Sequence, residues 1–225
     1  MLMNIGPYPV ETYNDIDSEL INFFRTLRNQ ESKLIKAISL TPFSREELAK
    51  ACEPADNLTR LERARRFYVR ARQTRTGLAQ TSSKGRWAHC VLTSRAGMAG
   101  AVSRWLGSVE GLAEIAQRLQ RVQIENAPAV EVVGRYDTAD TVFYLDPPYI
   151  HSARGDSAAY GFEMTNDEHV ELSEVLHSIR GRAVLSGYRT ELYDQFYADW
   201  RREDAPVRIC HSVRQPRQES AWMNF

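Results

Sequence analysis

Asp146-Pro147-Pro148-Tyr149 follows directly on the apolar run Thr141-Val142-Phe143-Tyr144-Leu145, and these residue types suit chemistry on an exocyclic amino group. An ionised Asp146 can only accept hydrogen bonds. Proline has no N–H and a fixed φ, so Pro147 and Pro148 hold a stiff, extended turn whose carbonyls lack local donors and can face a ligand. The Asp146 carboxylate and the Pro147 carbonyl therefore offer two acceptors to an –NH₂ group, leaving its nitrogen lone pair aimed at an electrophile. Tyr149 can stack on the flat ring that carries the amino group. This pattern points to methyl transfer onto a nucleic-acid base. The competing reading is a plain strand-ending turn with an aromatic lid, because proline pairs are common punctuation.

The elements that must position these groups can be read from hydrophobic periodicity. A short run rich in β-branched and aromatic residues, ended abruptly by prolines, predicts a buried strand of a parallel sheet over 140–145. Asp146 then stands at its carboxyl end, where open α/β sheets bind ligands. Upstream, Val10-Glu11-Thr12-Tyr13-Asn14-Asp15-Ile16-Asp17 predicts a second short strand ending in acids, followed by a helix through Leu20, Ile21, Phe24 and Leu27. An acid at such a strand end can accept both hydroxyls of a ribose, or it can cap the helix. Asp17 is nearer the helix start and fits capping better than Asp15. Downstream, the pattern predicts helices over 166–180 and 191–200 and a buried strand over 183–186. A terminal hairpin of 207–211 and 221–225 is expected around Arg214-Gln215-Pro216-Arg217-Gln218.

With 225 residues the chain can hold one domain with a full core and a smaller appended module. Three widely spaced cysteines, Cys52, Cys90 and Cys210, suggest neither a disulfide framework nor a zinc site, and no metal is expected. No signal peptide and no apolar stretch of membrane-spanning length is visible, so the cytoplasm is the expected compartment and no membrane partner is expected.

The net charge is zero, but its distribution is uneven. From Arg60 to Arg86 the chain carries Arg60, Arg63, Arg65, Arg66, Arg70, Arg72, Arg75, Lys84 and Arg86 against Glu62 as the sole acid, while acids gather around 156–174 and 194–204. Such a one-sided segment is an electrostatic footprint for phosphates, although most charge runs are solvated helix faces. Its first half, with Leu61, Ala64, Phe67, Tyr68 and Ala71 at helical spacing, predicts an amphipathic helix with an arginine-rich face. Its second half, Thr74 to Trp87, is a Gly/Ser/Thr-rich loop from which Arg72, Arg75 or Arg86 could read guanine edges. Trp87 and Trp105 are expected in the core.

Taken together, Tyr13-Asn14-Asp15-Ile16-Asp17, Asp146-Pro147-Pro148-Tyr149, His151-Ser152-Ala153-Arg154, Tyr160 to Thr165, Leu185-Ser186-Gly187-Tyr188 and Glu219 to Phe225 resemble the Dam-like class of DNA adenine N6-methyltransferases of bacteria and bacteriophages. The resemblance covers nearly the whole chain. It implies an α/β fold with a Rossmann-like S-adenosylmethionine-dependent methyltransferase sheet and a mostly helical target-recognition insert. The catalytic domain would comprise 1–40 plus 118–225 and the insert 41–117. The implied reaction moves a methyl group from S-adenosyl-L-methionine to N6 of an adenine in double-stranded DNA. The base must be flipped out, since a paired and stacked nitrogen cannot approach the donor in line. Asp146, Pro147 and Tyr149 are the implied catalytic residues, with Asp15 and Asp146 on the cofactor. Arg65, Arg66, Arg72, Arg75, Arg86 and Arg154 are the implied DNA contacts, and the enzyme is expected as a monomer. N4-cytosine methylation uses similar motifs, and Asp at the first motif position leans toward adenine.

The sequence departs from that family at its start. The family opens with a lysine-bearing segment and a Phe-x-Gly-x-Gly loop that approaches the cofactor's methionine part, whereas here Gly6 is the only glycine before Gly77. Met1-Leu2-Met3-Asn4 resembles the segment just after that loop. Weak or no cofactor binding is therefore expected of the chain as written, with a separate N-terminal fragment as one remedy. The alternative reading is a catalytically silent, DNA-binding remnant of such an enzyme.

Overall fold

Hydrophobic periodicity and side-chain caps set the helices of the first unit, Met1–Asn126. The computed structural model describes residues 6–54, 56–75, 77, 79, 83–150, 161–209 and 216–225. Strand β1 (Thr12–Asn14) leads into α1 (Ser18–Asn29), which starts where the Asp17 carboxylate accepts the Glu19 N–H at 2.8 Å. Helix α2 (Glu31–Ser39) follows. Ser44 caps α3 (Arg45–Ala51) and Thr59 caps α4 (Arg60–Arg72), each hydroxyl accepting a first-turn N–H that would otherwise lack a partner. Strands β2 (Ser94–Arg95) and β3 (Met98–Ala99) form a two-residue ladder, its turn taking positive φ at Ala96 and Gly97. Helices α5 (Gly100–Glu110) and α6 (Leu112–Leu119) then lead to β4 (Gln123–Glu125), which pairs parallel with β1.

The apolar faces of these helices meet in one core that includes Phe23, Leu27, Leu34, Ile38, Leu48, Phe67, Tyr68, Trp105 and Leu119. Segment 41–117 thus shares its core with 18–39. The predicted helix over 60–71 is α4, and the 74–87 loop is closed at its base by an antiparallel bridge between Thr74 and Trp87. Trp105 is buried as expected. Trp87 packs at the edge of the core against Phe43, beneath the Arg45 guanidinium.

The second unit, Ala127–Phe225, contains α7 (Ala129–Tyr136), β5 (Val142–Leu145), α8 (Asn166–Ser178), β6 (Arg182–Tyr188), α9 (Glu191–Phe196), β7 (Arg201–Asp204), β8 (Arg208–Ile209), β9 (Pro216–Arg217) and β10 (Glu219–Met223). A capping box of Thr165 and Glu168 starts α8. The sheet runs in the order β5-β6-β10-β7, with β5 parallel to β6 and the remaining pairs antiparallel. The register sets Phe143 beside Ala183 and Leu145 beside Leu185. Because side chains alternate along a strand, these four share one face, and they join Tyr193, Tyr197, Trp200 and Trp222 in the second core. Gly187 is required there: a Cβ on it would stand 2.8 Å from Cε2 of the buried Tyr193 ring.

The chain is thus of mixed α/β class, and two expectations for its end are corrected. The partner of β10 is β7 at Arg201–Asp204, and not a strand over 207–211; β8 and β9 form only a short separate ladder. Every residue of β7 is exposed and charged, so this sheet-edge strand carries no buried alternation for the sequence to display. The helix predicted to reach Trp200 stops at Phe196, and Tyr197 and Trp200 instead turn into the core. Residues 210–215, including part of the expected hairpin turn, lie outside the described residues. Among the described residues no helix is long and apolar enough to cross a membrane.

Candidate active site

Strand β5 ends at Leu145, which puts Asp146 just past its carboxyl end, exposed. The neighbouring strand carries Ser186 one position beyond the paired Leu145 and Leu185. Its hydroxyl lies 3.1 Å from the Leu145 carbonyl and 3.2 Å from Asp146 Oδ1. A hydroxyl has one hydrogen, so it serves these acceptors in turn and fixes the carboxylate against the strand end. Oδ2 of Asp146 accepts no hydrogen bond among the described residues, which leaves it for a ligand.

The following turn is anchored by Ile150, buried in the second core, with Pro147 and Pro148 half-buried above it. Tyr149 meets the Tyr188 ring edge-on, with centroids 4.4 Å apart and planes at 61°. Beneath them Tyr193 stands 3.2 Å from His169 Nδ1 through its hydroxyl. Burial, and then the nearby Tyr197, Tyr149 and Asp146, push its phenol far above the usual range. Tyr193 therefore stays neutral, with its ring packed edge-on against His169, Tyr197 and Trp222.

In the first unit, Asp15 stands just past the carboxyl end of β1. Its Oδ2 accepts from the Tyr13 hydroxyl at 3.0 Å and its Oδ1 from the Asp17 N–H at 2.9 Å. Asn126 fixes the same loop, donating to the Asp15 carbonyl at 2.8 Å while its own Oδ1 accepts from Ser18 at 2.9 Å. Burial pushes the Asp15 carboxyl above the ordinary range, against the lowering effect of the Asp17 N–H and the Tyr13 hydroxyl. Asp17 takes the helix cap, as its position predicted.

The sequence profile of the D12 class of N6 adenine-specific DNA methyltransferases matches residues 3–208. The chain belongs to this family. It is accordingly an enzyme of adenine-N6 methylation, and DNA is its substrate. A comparison with curated proteins found no match.

The arginines of this D12-class enzyme divide into two groups. Arg65 donates to Glu62 at 2.7 Å, to Glu47 at 2.9 Å and to Thr41 at 3.0 Å, and its side chain is 15% exposed. Arg66 pairs with Glu62 at 3.0 Å and is similarly covered. Arg63 pairs with Glu19, and Arg70 donates to the Ala51 and Ala79 carbonyls. Two of the anticipated DNA contacts, Arg65 and Arg66, thus have guanidiniums already engaged inside the unit. Arg72, Arg75 and Arg86 are exposed around the base of the 74–87 loop, where the Arg75 N–H donates to the Arg86 carbonyl at 2.9 Å. Arg154, with His151 and Ser152, lies outside the described residues.

Several site residues were not assigned roles from the sequence. Ser186 and Tyr188 reach Asp146 and Tyr149 only through the β5–β6 register. Tyr13 and Asn126 hold Asp15, and the local Tyr13-x-Asp15 spacing is the one signal for them that a sequence carries.

Proposed function

We propose that the protein transfers a methyl group from S-adenosyl-L-methionine to N6 of an adenine flipped out of double-stranded DNA. The Asp146 carboxylate and the Pro147 carbonyl accept the two amino hydrogens. This polarises the nitrogen toward attack and stabilises the positive charge that develops on it. Ser186 presets the carboxylate before the base arrives, so no reorientation is needed during the reaction. Tyr149, braced by Tyr188, offers a ring for the flipped base to stack on. The single observation that carries this reading is the exposed Asp146 at the end of a parallel strand, held through Oδ1 by Ser186.

Asp15 fits the donor's ribose. Each of its oxygens carries one hydrogen bond from the protein, and a carboxylate oxygen accepts two, so one acceptor site per oxygen remains for a diol. S-adenosyl-L-methionine, when bound, supplies a methyl group activated by a positively charged sulfur. The parallel β1–β4 pair and the β5–α8–β6 crossover support a Rossmann-like sheet for both units. Within it we assign target recognition to 41–117 and catalysis to 1–40 plus 118–225. The exposed arginines Arg72, Arg75 and Arg86 then face the DNA, with Arg154 beyond the catalytic turn.

Duplexes of varied sequence incubated with methyl-labelled donor test the assignment. Label is expected on adenine N6, and Asp146→Ala is expected to abolish it. Label on cytosine N4 would replace the adenine reading. Duplex binding without any label would favour a silent DNA-binding remnant.

A further inference from the structure

Beside the base of the 74–87 loop the first unit has a half-open cavity of about 240 Å³, whose wall includes Arg72, Arg75, Arg104, His89, Ala101 and Phe43. No acid lines it, and from Arg63 to Val109 the sequence contains no Asp or Glu at all. Arg72 and Arg104 make no side-chain hydrogen bond or ion pair among the described residues, in contrast to Arg65 and Arg66. Arg75 stands 3.1 Å from the His89 ring nitrogen Nδ1, a partner that brings no negative charge to balance it. Three guanidiniums converge on one space without a counter-charge, an arrangement that self-repulsion opposes unless an anion enters.

A second feature has the same sign. Ala101 belongs to the first turn of α5, an eleven-residue helix whose N-cap, Ala99, has no side-chain acceptor and whose first turn holds no acid. The positive end of its dipole thus lies at the cavity wall that Ala101 forms, although the Gly100 N–H itself is taken by the Thr93 carbonyl at 3.0 Å. Cys90, next in sequence to His89, already feels this: its thiol is pulled down to about 7, by the Thr93 hydroxyl first and then by backbone N–H groups that include those of Gly100 and Ala101. The volume is below the roughly 300–1,000 Å³ of pockets that enclose whole small-molecule ligands, so it suits one anionic group of a larger partner.

From this geometry we infer that the cavity is a seat for one backbone phosphate of the DNA, held by Arg72, Arg75 and Arg104 over the start of α5. The inference rests on the DNA-methyltransferase reading and adds to it residues that position the duplex without reading its sequence. Arg104, 32 positions after Arg72 in the chain, is the member that the arginine-rich segment alone did not include.

The test is duplex binding by the full chain, measured by fluorescence anisotropy over a range of salt, with two unrelated duplex sequences. Arg104→Gln is expected to weaken both duplexes alike, by about tenfold for a lost charged hydrogen bond. It should also reduce the salt slope by about one, as expected for one lost phosphate contact. Arg104→Lys should keep the slope. Arg121→Gln, an exposed arginine outside the cavity, controls for loss of charge and should leave the slope unchanged. Arg104 is itself exposed, and circular dichroism of each variant confirms the fold. If the parent chain binds DNA and Arg104→Gln matches it, the phosphate seat is refuted while the methyltransferase reading stands. A loss confined to one of the two duplexes would make Arg104 a base reader and likewise overturn the seat. No duplex binding by the parent chain would remove both.

Discussion

Ser186 Oγ and Asp146 Oδ1 are 3.2 Å apart although 40 residues separate them in sequence, because the parallel pairing of β5 with β6 brings their strand ends side by side. The Asp146 carboxylate, catalytic in the proposed reaction, is therefore held by the sheet itself, and its flanking turn does not orient it alone. Removing the hydroxyl by Ser186→Ala leaves Asp146 in place but free to rotate. Methyl transfer is expected to fall about tenfold, the equivalent of one hydrogen bond to a charged group. Asp146→Ala is expected to cost at least about 10²–10³-fold. Single-turnover rates with labelled donor measure both, and equal losses in the two variants would contradict the orienting role.

Asp15 gives a pH signature. Burial raises its carboxyl pKa in the folded chain above the unfolded value, so the folded state holds the extra proton over the intervening window. Stability then falls as pH rises through that window and is level above it. Affinity for S-adenosyl-L-methionine runs the other way, rising across the same window as the carboxylate becomes an acceptor for the ribose. Asp15→Asn should flatten both profiles and lower affinity. Urea midpoints and calorimetric titration against pH read the two effects separately, and a wild-type profile already flat above the ordinary carboxylate range would rule the assignment out.

Arg65 should behave as a structural residue. It ties α4 to α3 through Glu47 and to Thr41 directly, while pairing with Glu62 on its own helix, and Arg65→Ala leaves both carboxylates without that partner. A loss of about 1.5–3 kcal/mol is expected, with no change in the salt slope of DNA binding. Arg65 first, and Arg66 after it, hold the Glu62 carboxyl below its ordinary range. The stability this contributes is present above the unfolded value and lost as pH falls through the depressed one. Acid titration of wild type and variant should therefore converge at low pH; a constant gap would point to packing alone.

Gly187 tests the packing of β6 against the Tyr193 ring. A Cβ there would stand 2.8 Å from Tyr193 Cε2, and that ring is locked edge-on against Trp222 and Tyr197. Gly187→Ala should cost about 1–3 kcal/mol in urea unfolding, the usual range for overpacking. Because Gly187 lies between Ser186 and Tyr188, turnover should fall as well. A variant with wild-type stability would show that the ring can move aside.

Local signals were legible in proportion to how local their physics is. The Asp17 cap, the amphipathic α1 and α4 and the abrupt end of β5 at the proline pair all depend on neighbours within a few residues, and their positions followed from the sequence. Strand β7 was not legible, since an edge strand with both faces in solvent needs no alternation. Nor was the division among the arginines fully legible: Arg66 pairs locally with Glu62 one turn away, but only the packing of α3 against α4 brings Glu47 to Arg65, while Arg72 and Arg75 are left exposed.

The sequence by itself determined the chemistry available: an acid followed by two prolines and a tyrosine, a second acid after a short strand, and a stretch rich in arginine and nearly without acids. Residue type fixes which groups are able to accept, donate or ionise at all. Tertiary structure decided which of these groups are engaged and which are available. Strand register set Ser186 on Asp146, Tyr13 and Asn126 fixed Asp15, and helix packing brought Arg104 to the cavity beside Arg72. Apart from the local Tyr13–Asp15 bond, each outcome depends on a contact between segments distant in sequence, and such contacts are set by burial of whole faces, which no short window of residues contains.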